Sequence, residues 1–183
     1  MSEEFFIRHC APTLAGLKTA NLFSCPCQNR KEVLDGIRGI NNKLRSKGLR
    51  AVPLRFSRDK ALIYLYRPQQ LTTDIAENQA AELLEERGYD TASCAHCITQ
   101  LMHKLQQNED FPHEIGLFLG YPVEDVQGFI INHAKGCKCT GYWKVYGDEA
   151  AAKKKFAQYK KCTEIYCELW ANGKNIEQLT VAC

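Results

Sequence analysis

The sequence has no apolar run that approaches the roughly 20 residues of a membrane-spanning helix. Its first residues, Met1 to Glu4, are acidic, whereas a secretory signal begins with positive charge and continues into an apolar segment. We therefore expect a cytoplasmic protein. Thiols stay reduced in that compartment, so the ten cysteines are expected to be free rather than to form a disulfide framework.

Signature motifs of the common nucleotide enzymes and hydrolases are also missing. The chain has no Walker loop, no Rossmann glycine pattern, no HExxH zinc motif and no GxSxG nucleophile turn. Its 24 basic and 21 acidic residues leave a formal net charge of +3, which is too small to indicate nucleic acid as a partner. These absences disfavour the commonest enzyme classes, and they leave open whether the protein is an enzyme.

What the sequence does contain is the apolar patterning of a globular protein. Helical spacing predicts about seven or eight helices, which begin at Pro12 and continue at 33–44, 73–88, 93–107, 112–119, 122–132, 148–172 and 176–179. Alternation predicts a hairpin of strands at 52–56 and 61–66, with Pro53 on an edge strand, and a third strand at 141–146. A small, mainly antiparallel three-stranded sheet packed against the helices gives an α+β fold in one domain, residues 1–183.

The first candidate site is the pair His9 and Cys10, which we expect to lie just before the helix that begins at Pro12. Exposed N–H groups at a helix start stabilise a thiolate and lower its pKa, so Cys10 is a candidate catalytic thiol with His9 beside it. Lys18 and Asn21 lie on the same flank and are candidate ligand-binding residues. The alternative is that Cys10 is a buried cysteine that packs like a small apolar residue.

Close cysteine pairs are the second kind of candidate site. Cys25-Pro26-Cys27 and Cys137-Lys138-Cys139 are predicted to lie in loops, where four thiolates could bind zinc or an iron–sulfur cluster. One residue between cysteines is shorter than the usual zinc-ligand spacing, so ordinary free thiols are the alternative. Cys94 and Cys97 have redox or metal spacing, but helical phase places both on an apolar face, which favours core packing.

A corner between two short helices supplies further candidates. His113 and Glu114 follow Pro112 in a first helical turn, where they could perform acid–base chemistry or bind a metal, so both are candidate catalytic residues. Tyr121, at the corner itself, is a candidate ligand-binding residue. The alternative for Glu114 is that its charge only complements the helix dipole.

The predicted strand at 141–146 could bind a flat molecule. Alternation places Tyr142, Lys144 and Tyr146 on one face, so aromatic rings could stack on a cofactor while Lys144 contacts its phosphate or carboxylate. Tyr142 and Lys144 are therefore candidate ligand-binding residues. The alternative is that Trp143, on the other face, packs in the core and Lys144 is solvated.

A basic segment runs from Arg38 to Lys60, with eight Lys or Arg residues and a single acidic residue, Asp59. Such a surface could bind nucleic acid or an acidic partner, for example a flavodoxin-like redox protein. The alternative is a solvated face that the acidic residues between Glu77 and Glu86 neutralise.

Three long motifs carry a resemblance to a known family: HCAPTLAGLKTANLF at 9–23, FPHEIGLFLGYPVEDV at 111–126 and GYWKVY at 141–146. Together they resemble an uncharacterised family, a domain of unknown function found mainly in anaerobic bacteria. The resemblance covers nearly the whole chain and implies a cytosolic bacterial protein. Genes of that family often lie beside flavodoxin or iron-transport genes, which hints at iron or redox chemistry but implies no activity, ligand or catalytic residue.

Three functional hypotheses follow from these patterns. The first is a thiol-dependent redox or metal-handling protein, with Cys10 as the reactive thiol and an iron–sulfur cluster or zinc as the candidate cofactor. The second is a non-enzymatic adaptor that binds an acidic redox partner through the basic segment. The third is a small-molecule-binding domain, with a cleft between the helices at 112–132 and the strand that carries Tyr142.

Overall fold

The structure is a computed structural model that describes residues 2–107 and 111–182. It contains two compact units, Met1–Gln69 with Tyr159–Cys183 and, between them in sequence, Gln70–Gln158. Helices and antiparallel strands occur together, so the predicted α+β class is confirmed. The assignment of residues 1–183 to one domain stays a prediction. None of the helices in the described ranges combines the length and the apolar character that crossing a membrane requires.

The first unit is a three-stranded sheet with helices. Its elements are α1 (Glu3–Leu14), β1 (Ala20–Pro26), α2 (Arg30–Leu44), a 3-10 turn (Arg45–Lys47), β2 (Arg50–Phe56), β3 (Lys60–Tyr66) and, near the end of the chain, the last part of α8 (Glu149–Ala171) and α9 (Ile176–Leu179). The strand order is β1-β3-β2 with antiparallel pairing throughout. The hairpin is therefore confirmed, and Pro53 does lie on an edge strand.

Apolar periodicity explains the core of this unit. β3 is buried along almost its whole length because it is the central strand. Helix α1 packs against β1 and α2 packs against β2, and α9 contacts both helices. The resulting core contains residues from every one of these elements, among them Phe6, Leu14, Phe23, Ile37, Ile63 and Ile176.

The beginning of the chain differs from the prediction. Helix α1 begins at Glu3, where the Ser2 Oγ accepts a hydrogen bond from the Glu4 amide at 3.2 Å, and Pro12 lies in its last turn rather than its first. Residues 20–26 then form β1 instead of continuing a helix into a loop. The central strand β3 needs backbone partners on both edges, and β1 satisfies the edge that β2 leaves open.

The second unit is mostly helical. It contains α3 (Pro68–Ile75, which begins two residues before the unit), α4 (Asn78–Glu86), α5 (Cys94–Gln107), α6 (Ile115–Phe118), α7 (Val123–Ile131), β4 (Cys139–Thr140), β5 (Lys144–Val145) and the first part of α8 (Glu149–Ala171). The single helix expected at 73–88 is two helices, and the third strand expected at 141–146 is reduced to β5, which pairs with β4. The helix predicted at 176–179 has these bounds, and the remaining predicted helices are present with shifted ends.

Candidate functional site

A cavity of about 350 Å³ lies in the second unit, lined by residues of α6, of α7 and of the β4–β5 segment. Its volume is within the range of small-molecule sites, roughly 300–1,000 Å³. Five aromatic side chains line it: Phe111, Tyr121, Phe129, Tyr142 and Trp143. The cavity occurs where the sequence predicted a cleft, and it brings together four predicted site residues: His113, Tyr121, Tyr142 and Lys144.

One wall of the cavity is a packed group of rings. Tyr121 stacks on Trp143 with 4.8 Å between ring centroids, and Trp143 and Phe156 meet edge-to-face with 4.6 Å between centroids. The Tyr121 hydroxyl also donates a hydrogen bond to the Tyr142 carbonyl at 3.1 Å. These contacts hold Trp143 in place, so this wall is formed before any ligand arrives.

A buried carboxylate, that of Asp125, positions this wall. Its Oδ2 accepts a hydrogen bond from Trp143 Nε1 at 2.6 Å, and its Oδ1 accepts from the amides of Tyr146 and Gly147 at 2.7 and 2.8 Å. The last two bonds replace strand pairing, which explains why β5 ends after two residues. Sequence reasoning missed Asp125, although a buried Trp needs an acceptor for its N–H and acidic side chains in Val123–Ile131 were available.

Lys144 forms a polar part of the lining. Its Nζ donates to the Ala134 carbonyl at 2.7 Å and lies 6.0 Å from the centroid of the Phe129 ring. His133 and Ala134 have φ values of 47° and 62°, which non-glycine residues rarely adopt. Backbone strain of this kind costs on the order of 1–3 kcal/mol per residue and persists where neighbours hold it. Lys144 is one such neighbour.

The two predicted acid–base residues have different surroundings. His113 is exposed at the cavity and meets the Phe129 ring edge-to-face at 5.0 Å. Glu114 is buried and accepts hydrogen bonds from the Tyr89 hydroxyl at 3.1 Å and from Lys104 Nζ at 3.2 Å. Burial, together with the charge of Glu114, raises the pKa of Tyr89. The structure therefore does not bring His113 and Glu114 to a common site, and the catalytic role of each stays a prediction.

Cys10 is placed differently from the prediction. It lies inside α1, not before a helix, and it is fully buried in the core of the first unit. Burial raises the pKa of its thiol, and the opposing effect of the Lys18 charge is smaller. The expectation of a lowered pKa at a helix start is wrong, because the helix starts seven residues earlier, at Glu3.

The residues predicted to assist Cys10 have other roles in the first unit. His9 is exposed and stacks on Phe23 with 5.2 Å between ring centroids. Asn21 is buried and its Oδ1 accepts a hydrogen bond from the Thr13 hydroxyl at 2.7 Å. Lys18 is buried as well, and burial lowers its pKa to about 8. A ligand-binding role for Lys18 and Asn21 stays a prediction.

Alkylation should reveal the protection of Cys10 directly. We expect iodoacetamide at pH 8 to modify Cys139, which is half-buried, about 100-fold faster than Cys10, because the thiolate is the reactive form and a buried thiol does not ionise. Trypsin separates the two thiols into the peptides HCAPTLAGLK and CTGYWK, so mass spectrometry can follow each one. Faster labelling of Cys10 in the folded protein would contradict this placement.

The cysteine pairs do not form a visible metal centre. Cys25 lies in β1 rather than in a loop, and Cys27 follows it with its amide donating to the Asp59 carbonyl at 2.8 Å. Cys137 Sγ lies 3.5 Å from the Thr140 hydroxyl. Across residues 2–107 and 111–182, no group of three or more His, Cys, Asp or Glu side chains is arranged to hold a metal ion. The zinc or iron–sulfur site therefore has no support in this part of the chain.

Two further features of the sequence are the pair Cys94 and Cys97 and the basic segment from Arg38 to Lys60. Cys97 is buried and its thiol donates to the Asp90 carbonyl at 3.2 Å, whereas Cys94 is half-buried. The basic segment lies on α2, the 3-10 turn and the hairpin, and most of its charged side chains are exposed. Within it, Arg38 forms an ion pair with Asp35 and Lys43 forms one with Glu3.

Comparison with known proteins identifies a family. A family model described as "Protein of unknown function (DUF3793)" matches residues 6–180. Searches of curated proteins and of solved structures found no match. The family match covers nearly the whole chain and agrees with the resemblance seen in the sequence, so this protein belongs to the DUF3793 family.

Proposed function

We propose that this protein binds a small molecule in the cavity of its second unit. The observation that carries the proposal is a cavity of about 350 Å³ with five aromatic side chains on its lining. Ligand sites are typically concave, largely apolar and formed in advance, with a few polar groups that orient the ligand. The walls here meet that description, and His113, Thr140 and Lys144 are among the lining residues that carry hydrogen-bond donors.

The strained turn at His133 and Ala134 supports the same proposal. Unfavourable backbone conformations cluster at ligand-binding sites, where the surrounding structure maintains them. This turn presents the Ala134 carbonyl to Lys144, and Lys144 lines the cavity. The strain therefore contributes to positioning a charged group at the site.

The thiol and adaptor hypotheses have weaker support. A reactive thiol needs a thiolate at neutral pH and access from solvent, and Cys10 is fully buried with a raised pKa. The adaptor hypothesis depends on exposed basic residues, which most protein surfaces carry. Small-molecule binding uses a cavity that the fold already forms, so it is the function that the geometry supports best.

A neutral fluorescent probe tests the proposal. We expect N-phenyl-1-naphthylamine to bind with one-to-one stoichiometry and to gain fluorescence in the apolar cavity. Tyr142→Ala should weaken its binding about tenfold, since an aromatic wall is worth about 1 kcal/mol or more in contact with a ring. Tyr142 is 40% exposed, so the substitution leaves the core intact.

The matched control is Ile165→Ala on α8. Ile165 is 43% exposed, an accessibility close to that of Tyr142, and it is not among the residues that line the cavity. Its replacement should leave the dissociation constant of the probe unchanged. Absence of probe binding, or equal weakening by both substitutions, would contradict the proposed function.

A further inference from the structure

The polar groups of the cavity differ in how much hydrogen-bonding capacity they have left. An ammonium group has three N–H donors, and one of those of Lys144 is directed to the Ala134 carbonyl at 2.7 Å. None of the ion pairs found in residues 2–107 and 111–182 includes Lys144. Its charge is therefore not neutralised by a carboxylate in the part of the chain that the structure describes.

Asp125 is the acidic side chain of the described lining, and most of its capacity to accept hydrogen bonds is already used. Its two oxygens accept three hydrogen bonds, from Trp143 Nε1 and from the amides of Tyr146 and Gly147. Three donors directed at one carboxylate compensate much of its charge. A cationic ligand would therefore find a weak partner in Asp125, while an anionic ligand would find spare donors on Lys144.

The shape of the cavity adds a second constraint. Tyr121 and Trp143 stack as one wall, and Phe129, which meets His113 edge-to-face, belongs to the same lining. Aromatic walls favour a flat ring system, which they contact by offset stacking or by edge-to-face packing. Because Lys144 Nζ lies 6.0 Å from the Phe129 centroid, a charged group on a ring that packs against Phe129 can reach the ammonium.

We propose that the ligand is a flat aromatic molecule that carries a carboxylate or a similar anionic group. The ring lies among the aromatic side chains, and the anion accepts hydrogen bonds from Lys144, with the exposed His113 imidazole as a second polar contact. This inference depends on the proposed function, because it names the class of molecule that occupies the same cavity. Charge-assisted hydrogen bonds are stronger than neutral ones, so the anion determines selectivity.

Three probes share the naphthalene ring and differ in charge: 2-naphthoate, neutral 2-naphthamide and 2-naphthylmethylammonium. Comparing them separates the contribution of charge from that of the ring. Isothermal titration calorimetry at low salt gives their dissociation constants. We expect the naphthoate to bind about tenfold more tightly than the amide, which corresponds to one charge-assisted hydrogen bond partly exposed to solvent. The ammonium probe should bind more weakly than the amide.

Substitutions at Lys144 test whether this residue causes the preference. Lys144→Met should remove the preference, so that the naphthoate binds no more tightly than the amide, and residual binding of the amide to this variant shows that the cavity is still formed. Lys144→Arg should restore the preference. Lys138→Met is the matched control, because Lys138 Nζ also donates to a backbone carbonyl, that of Gly147 at 2.6 Å, but does not line the cavity.

The results of these titrations distinguish failure of the anionic class from failure of the proposed function. Equal affinity for the naphthoate and the amide, a preference that survives Lys144→Met, or tighter binding of the ammonium would overturn the anionic class while leaving a small-molecule site in place. Failure of all three probes and of N-phenyl-1-naphthylamine to bind would overturn both this inference and the proposed function. A preference abolished by Lys144→Met and retained in Lys138→Met supports the inference.

Discussion

Asp125→Ala is expected to lower the free energy of unfolding by about 4 kcal/mol, one of the two largest effects of a single side chain that we predict. The substitution leaves the indole N–H of Trp143 and the amides of Tyr146 and Gly147 without their acceptor. Donors left unsatisfied in a buried site cost the full desolvation of each group, so the loss exceeds the net worth of three ordinary hydrogen bonds. The wall of the cavity should loosen, and probe binding should weaken with it.

Urea denaturation followed by tryptophan fluorescence and by circular dichroism measures the loss. Asp125→Asn should cost about half as much, because one amide oxygen can still accept from two of the donors while its NH₂ group faces the third. Glu82→Ala on α4 is the control, since it removes the same charge from an exposed helical position of the same unit and should change stability by less than about 0.5 kcal/mol. A tolerated Asp125→Ala would show that the carboxylate does not hold the β5 segment.

Local periodicity was enough to predict much of this fold. In α5, Cys97, Leu101 and Leu105 recur at helical spacing and are buried as expected. The hairpin was equally clear, because an edge strand with a proline precedes a continuous apolar strand. In such segments a single pattern agrees with the tertiary structure, and local information is sufficient.

The N-terminal region shows where local patterns become ambiguous. Leu14, Leu17 and Asn21 fit a helical face, yet residues 20–26 also alternate, with Phe23 and Cys25 directed inward in β1. The choice between the two is made by the open edge of β3, which lies some 40 residues away in sequence. The misplaced helix start then produced the wrong expectation for the pKa of Cys10.

Only part of the candidate site was predictable, because the sequence does not reveal contacts with distant parts of the chain. His113, Tyr121, Tyr142 and Lys144 were identified as polar or aromatic residues in unusual positions, and all of them line one cavity. Asp125 was missed because two of its partners are backbone amides about 20 residues further along, which no side-chain pattern reveals. Residues that bind distant backbone groups are the ones that sequence reasoning overlooks.

Arg67 is the second such residue, and Arg67→Met should lower the free energy of unfolding by about 4 kcal/mol. Its buried guanidinium donates to the carbonyls of Thr13 at 2.8 Å, Leu14 at 3.0 Å and Val181 at 2.8 Å. The first two are the last carbonyls of α1, a helix with no basic residue in its final turn. Arg67 therefore satisfies helix-end acceptors and supplies the positive charge that the dipole of α1 favours.

A substitution that keeps the charge of Arg67 and a control at an exposed arginine test this role. Arg67→Lys keeps the charge but cannot span three carbonyls with the geometry of a guanidinium, so it should recover only part of the lost stability. Arg58→Met, in the exposed turn between β2 and β3, should change stability by less than about 0.5 kcal/mol. Because the Val181 amide donates to the Leu14 carbonyl at 3.0 Å, its hydrogen exchange should accelerate in Arg67→Met. Unchanged exchange at Val181 together with unchanged stability would show that Arg67 does not join the end of α1 to the C-terminal segment.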